Sequence, residues 1–205
     1  MKMTDMSVPA RRRARRSNEE VPRDKILRAA AALFRSRGYK GTTVRDIADS
    51  VGLLSGSLFH HFASKEEMLV EIMREAFLTV SIGFDKVLAA DQDPYRQLRE
   101  LIRLELDAVI HDERKDFHMV LYFDWRDAPP SALQELKRYR ARYRDSWIRT
   151  LHACHESGLL RCDPVIAEQV IFGSLRHAMT WLKPGGKYTT EDFGDALVRL
   201  VLEEQ

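Results

Sequence analysis

Apolar residues recur along the chain at helical spacing, and no stretch alternates with the strand period of two. Ile26, Ala30 and Leu33, with Leu27 and Phe34 beside them, form one stripe of a helix that begins near Arg23 and stops at Gly38. Pro22 suits the first turn of that helix, which needs no N–H donor. Thr43 followed by Asp46 reads as a capping pair, and Val44, Ile47, Ala48 and Val51 follow on one narrow face. Gly52 breaks this second helix. A third short helix is expected from Ser55 to Phe62, with Leu58 and Phe62 turned inward. Ser64 caps a long helix with Glu66 and Glu67 in its first turn, and Met68, Leu69, Ile72, Met73, Ala76, Phe77 and Val80 on its apolar face.

Further helices are expected from Pro94 onward, over Phe117 to Trp125, from Ser131 to Ser157, from Pro164 to Leu182 and from Phe193 to Leu202. Thr190 to Asp192 caps the last of them. Leu54 offers no capping oxygen before the third helix, so Ser55 is expected to supply one. The fold class is all-α: a small N-terminal three-helix unit over residues 21–66 and a larger helical unit over residues 67–205. Residues 1–20, with Arg11, Arg12, Arg13, Arg15 and Arg16, read as a disordered basic arm.

Composition narrows the class. Hydrophobic residues are 44 % and charged residues 31 % of the 205, as in an ordinary folded protein. No run reaches the 18 or so apolar residues that span a bilayer, and the basic N-terminus has no apolar segment behind it, so neither a membrane protein nor a secretory signal is expected. Cys154 and Cys162 make no disulfide framework, which points to the cytoplasm.

The net charge of +2 conceals a split. Residues 1–65 carry 14 Lys and Arg against 6 Asp and Glu, while residues 66–205 carry 19 against 25. A first third at +8 on a remainder at −6 suggests a polyanion partner for the first part alone. Two short helices joined by a Gly-containing turn inside that basic region fit a helix-turn-helix, because a short helix held by a few apolar contacts can enter the major groove. Ser55, Gly56, Ser57 and His60 are small or polar and leave room for bases and phosphates. A helical hairpin without DNA contact has the same periodicity.

The residues Ile26 to Gly38, Thr42-Thr43-Val44-Arg45-Asp46-Ile47-Ala48, Gly52, Gly56-Ser57-Leu58-Phe59-His60-His61-Phe62 and Ser64-Lys65-Glu66-Glu67 resemble the N-terminal domain of TetR/AcrR-family transcriptional regulators. The resemblance covers about a quarter of the chain. It implies that Thr43 and Lys65 grip phosphates, and that Arg45, Ser55, Gly56, Ser57 and His60 lie near base edges and the adjoining backbone. Phe59 stands where the family often has Tyr, which removes a phenol–phosphate bond, and Leu54 where it often has Ser. The stretch from Leu54 to Met68, with Trp181-Leu182-Lys183-Pro184-Gly185-Gly186, is similar to the members that control sterol and lipid breakdown and answer to acyl-CoA thioesters.

The resemblance implies a ligand-responsive homodimer, most simply a repressor, bound to palindromic double-stranded operator DNA and released by a small molecule such as an acyl-CoA. Regulation of efflux or stress genes by an apolar or aromatic compound is the alternative, and a helical adaptor or an enzyme the alternative outside the family. Its last two helices form the dimer surface, with Phe172, Leu175, Met179, Phe193, Leu197 and Leu200 as the apolar contacts.

The effector set comes from the central helices. Phe117, Tyr122 and Trp125 belong to an aromatic-rich segment, and Tyr143 and Trp147 to the stripe of the long helix. Arg140 and Arg176 sit at helical spacing among apolar neighbours, so each is expected to need an anion: an internal acid (Glu105, Asp124 or Glu168) or the effector. His152, Cys154 and His155 share a helix face only in part and suggest no metal site. No catalytic arrangement stands out, and no cofactor is expected.

Overall fold

The protein is described by a computed structural model over residues 21–203; the expected basic arm lies outside the described residues. Nine α-helices are found among them. Helix α1 (Arg23–Arg37) ends where Gly38 takes φ +74° and returns its N–H to the Phe34 carbonyl at 2.7 Å. Helix α2 (Val44–Ser50) opens on a reciprocal capping box: Thr43 Oγ1 accepts the Asp46 N–H, and Asp46 accepts the Thr43 N–H.

Helix α3 (Ser55–Leu58) is a single turn, shorter than the expected helix to Phe62. The N-cap Leu54 has no side-chain partner, and Ser55 does not replace it; the Leu54 carbonyl accepts the N–H groups of Ser57 and Leu58 instead. With so little capping, the helical turn ends early, and hydrogen-bonded turns carry the chain through His60 and His61 to the buried Phe62.

Helix α4 (Lys65–Ala90) is capped by Ser64, and α5 (Pro94–Ile110) by Asp93 with Pro94 in the first turn. Helix α6 (Lys115–Asp124) runs into a 3₁₀ turn over Trp125–Asp127. Helices α7 (Pro130–Glu156), α8 (Pro164–Trp181) and α9 (Thr190–Val201) complete the body. The N-cap of α9 is Thr189, one residue before the expected cap, because its hydroxyl accepts the Asp192 N–H at 3.0 Å, and the helix starts at Thr190 and not at Phe193.

Burial divides the interior into two cores. One joins Ile26 and Phe34 of α1, Ile47 of α2, Leu58, Phe62, the first half of α4, Phe117 and Val120 of α6, and Leu136 of α7. The other joins Phe84 of α4, the apolar face of α5, Trp147 of α7, and α8 with α9. Helix α4 belongs to both, and the core under α2 and α3 extends well past residue 66. A movement of α6 or of the start of α7 therefore reaches the N-terminal helices through close-packed side chains.

Candidate nucleic-acid interface and effector core

The α2–α3 pair buries Ile47, Ala48, Leu58 and Phe62 against α1 and α4 and leaves the opposite face to solvent. On that face Thr43, Arg45, Gly56, Phe59 and His60 are exposed, and Ser55 and Ser57 half-buried. The Arg45 side chain is 84 % exposed, and its ion pair with the exposed Asp49 is long, at 3.9 Å, and solvent-screened, so its charge stays available. A Cβ at Gly56 would meet nothing within 4 Å, and its φ is not positive, so the fold does not require glycine there. Glycine leaves open space on this exposed face. Leu54 and Phe59 add exposed apolar surface.

Thr43 and Lys65 are more committed than expected. The Thr43 hydroxyl donates to Asp46 at 2.6 Å while accepting the Asp46 N–H. Lys65 Nζ donates to the carbonyls of Tyr39 and Thr42, both at 2.7 Å, and lies 4.1 Å from the centre of the Tyr39 ring. Burial lowers the Lys65 pKa. Thr42, fully buried, donates its hydroxyl to the carbonyls of Gly38 and Leu33. The corner between α1 and α2 is further tied to the end of α6, where the buried Asp124 accepts the Tyr39 N–H at 3.1 Å and Asp127 pairs with Lys40 at 2.6 Å.

The body holds an aromatic cluster. Phe84 packs edge-on against Trp147 at 5.3 Å and stacks on Tyr143 at 5.8 Å, and Phe172 closes on both Tyr143 and Trp147. Glu105 of α5, 1 % exposed, enters this cluster. Its Oε1 accepts the Tyr122 hydroxyl at 2.8 Å, and the Tyr143 hydroxyl lies 3.4 Å from that of Tyr122. Burial pushes the Glu105 pKa up to about 7, against the two tyrosine hydrogen bonds that favour its charge. Glu105 Oε2 and Trp147 Nε1 are buried and make no well-aligned hydrogen bond, and the Tyr143 hydroxyl is the polar group that interacts with both side chains.

Several expectations are corrected here. Arg140 and Arg176 are both exposed, so neither guanidinium needs an internal anion. Arg140 lies over the Trp125 ring at 4.9 Å, because its long side chain reaches out over the indole instead of in. The three acids held in reserve for these arginines serve other groups: Glu105 takes Tyr122, Asp124 takes Tyr39, and Glu168 takes Arg144 at 2.9 and 3.2 Å. Phe117 belongs to the N-terminal core beside α1, away from the Tyr143–Trp147 cluster. Leu175 and Leu197 are buried within the single chain, so they pack its own core and have no surface left for a partner.

The apolar surface of α8 and α9 lies instead at Val165, Ile166, Trp181 and Leu200, with Phe172 and Met179 half-buried. Phe193 is half-buried and packs edge-on against Trp181 at 5.4 Å. Cys154 is buried and donates to the Pro94 carbonyl, and burial pushes its pKa up to about 12. Among the described residues no group of three or more His, Cys, Asp and Glu is placed to hold a metal ion.

Comparison with known proteins agrees with this arrangement. The family described as bacterial regulatory proteins, tetR family, matches residues 26–72, and a tetracyclin repressor-like C-terminal domain matches residues 91–204. The chain belongs to the tetR family. Among its tetR-family relatives, the transcriptional repressor KstR2 of Mycobacterium tuberculosis is 32 % identical over 186 residues, covering 88 % of this chain and 90 % of the relative. KstR2 of Rhodococcus jostii is 33 % identical over 196 residues, covering 91 % and 92 %.

The solved structure of the ketosteroid regulator KstR2 of M. tuberculosis superposes with a TM-score of 0.78 at 30 % identity, covering 93 % of this chain and all of that one. AibR in complex with isovaleryl coenzyme A and operator DNA reaches 0.78 at 23 % identity, covering 87 % and 96 %, a likeness of fold alone. The KstR2 relatives are named as transcriptional repressors, and the enzyme alternative falls. No helix among the described residues is long and apolar enough to cross a membrane.

Proposed function

We propose that this tetR-family regulator is a homodimeric repressor that holds a palindromic operator through α2, α3 and the turn after them, and lets go when a small molecule binds among α4 to α8. The observation that carries the reading is the exposed face of α2 and α3, in a basic third of the chain, whose supporting corner is hydrogen-bonded to α6. Thr43, Arg45, Ser55, Gly56, Ser57, Phe59 and His60 meet the DNA, and Lys65 sets the corner behind them. Exposed apolar residues of α8 and α9, among them Val165, Ile166 and Leu200, join two copies, and a palindromic operator then presents its half-sites about one DNA turn, roughly 34–36 Å, apart.

An effector favours the subunit spacing it binds best, and repression ends when that spacing no longer matches two grooves. An acyl-CoA thioester from lipid or sterol breakdown is the effector class supported by the relatives named as KstR2 and by the AibR complex with isovaleryl coenzyme A. Its acyl end would be buried beside Tyr122, Tyr143 and Trp147, with Trp125, Arg140 and Arg176 toward the surface. The test is release. Acyl-CoA thioesters titrated into the complex with a selected operator should dissociate it. Release by free fatty acids or aromatic compounds and by no thioester would transfer the effector to the other class.

A further inference from the structure

The folded part of the basic third engages most of its cations within the protein. Residues 21–65 contain eight Lys and Arg. Four are paired by acids of the body: Arg23 by Glu67 and Glu71, Arg28 by Glu113, Arg35 by Asp116 at 2.9 Å and Lys40 by Asp127 at 2.6 Å. Lys65 is held by two backbone carbonyls, and Arg37 lies 3.6 Å from the Asp46 that closes the α2 capping box. From Thr43 to Ala63, the whole of α2, α3 and the turn after them, Arg45 is the only Lys or Arg. One cation per half-site is few, because the grip of a protein on a duplex comes chiefly from neutralised phosphates.

Further cations stand ahead of α1. Arg11, Arg12, Arg13, Arg15 and Arg16 fall within six positions of a segment that lies outside the described residues. Its point of attachment is described. The Arg23 guanidinium lies 4.0 Å from the centre of the Phe62 ring, at the end of the turn after α3, and the Glu67 that pairs with Arg23 also accepts the Ala63 N–H at 2.6 Å. The start of α1 is thus fastened beside that turn. The twelve steps from Arg23 back to Arg11 can span up to about 40 Å, roughly one turn of B-DNA.

We infer that Arg11 to Arg16 form a second DNA-binding segment, which grips phosphates of the duplex beside each half-site while α2 and α3 face the bases within it. A guanidinium suits the task, since it stays charged and meets phosphate oxygens with two parallel N–H groups. Phosphates are alike in every sequence, so the segment adds affinity without choosing the operator. The inference rests on the regulator reading and assigns most of the salt dependence of binding to residues outside the helix-turn-helix.

The experiment compares the full-length protein with two variants, one with all five arginines changed to Ala (Arg11→Ala, Arg12→Ala, Arg13→Ala, Arg15→Ala and Arg16→Ala) and one with all five changed to Lys. Binding to the operator selected by the unaltered protein is followed by fluorescence anisotropy between about 50 and 200 mM salt, and by hydroxyl-radical footprinting. Each phosphate contact adds about 0.9 to the slope of log affinity against log salt. With half of a dimer's ten arginines on phosphate, the slope of the Ala variant should be smaller by about four to five, and its affinity at the lowest salt at least about a hundredfold weaker. Its footprint should lose the flanks and keep the half-sites, and the Lys variant should retain most of the slope. Equal melting temperatures of the three free proteins check that the fold is kept.

An unchanged slope and footprint in the Ala variant would overturn the inference and leave the regulator reading standing. Selection of a different operator by the Ala variant would overturn it too, since the segment would then read bases. Failure of the unaltered protein to bind any duplex would sink the regulator reading and this inference with it, so the two failures are distinguishable.

Discussion

The carboxylate of Asp124, the last residue of α6, accepts the backbone N–H of Tyr39, in the corner between α1 and α2, at 3.1 Å. The bond is buried, and it joins the helix beside the aromatic cluster to the loop that leads into α2. On the other side of the same corner Lys65 holds the carbonyls of Tyr39 and Thr42. One short loop is thus tied to both α6 and α4, and under the proposed function a shift in the body would re-aim α2 and α3 through it.

Asp124→Ala should leave the Tyr39 N–H buried and unpaired, at a cost of about 1–3 kcal/mol. The expected outcome is a lower melting temperature together with weaker operator binding. Asp124→Asn keeps an acceptor oxygen and should restore most of both. Equal behaviour of the two variants would remove Asp124 from the coupling.

Lys65→Met should weaken binding to all duplex sequences alike and also lower the melting temperature, because two carbonyls lose their donor. The slope of log affinity against log salt separates this from a purely phosphate-gripping role. A phosphate contact alone would reduce that slope by about one without touching stability. The melting curve of the free protein is the deciding observation.

Stability against pH carries the signature of two buried groups. Burial pushes His118 down to about 4 from 6.5, with Asp112 opposing, and pushes Glu105 up to about 7 from 4.5. For His118 the unfolded chain binds the extra proton between those values, so stability falls as pH drops from 6.5 to 4. For Glu105 the folded chain holds the extra proton, so stability rises as pH drops from 7 to 4.5. The two effects oppose each other between 4.5 and 6.5. Glu105→Gln removes one of them, so relative to the unaltered protein it should lose stability on acidification, by up to about 1.4 kcal/mol per pH unit. Urea unfolding at pH 6.5 and 5.0 measures it, and parallel profiles for the two proteins would contradict the assignment.

Leu197 and Leu200 lie one turn apart on α9 yet should fail differently. Leu197 is 3 % exposed and Leu200 63 %. A charge at Leu197 is buried unpaired, so Leu197→Glu should unfold the chain. Leu200→Glu should leave a folded protein whose sedimentation shifts from dimer to monomer. A dimer unaffected by Leu200→Glu would move the proposed interface off this face of α9.

The periodicity made all nine helices visible, most to within a residue or two, because each carries a buried stripe and most carry a cap. The helix at Ser55 was overdrawn because Phe62 is buried from a turn and not from a helix, and spacing alone cannot distinguish these. The arginines misled for a related reason. Arg140 and Arg176 occupy apolar-phase positions, but a long side chain can leave its stripe for solvent or an indole. The sharper signal was Glu105, four residues after Leu101 and four before Val109, an acid that is too short to escape its face. Leu175 and Leu197 read as dimer contacts because apolarity on a helix does not tell a protomer's own core from its partner surface. The role of Asp124 at Tyr39 depends on a contact 85 positions apart along the chain, which no local pattern records.

Selection from a random duplex pool at low salt tests the central claim most directly. The account predicts enrichment of a palindromic sequence whose half-sites lie about one helical turn apart, bound with an affinity that falls steeply as salt rises. Arg45→Ala or Ser57→Ala should change the sequence recovered. Absence of any enriched sequence, or binding indifferent to salt, would contradict it.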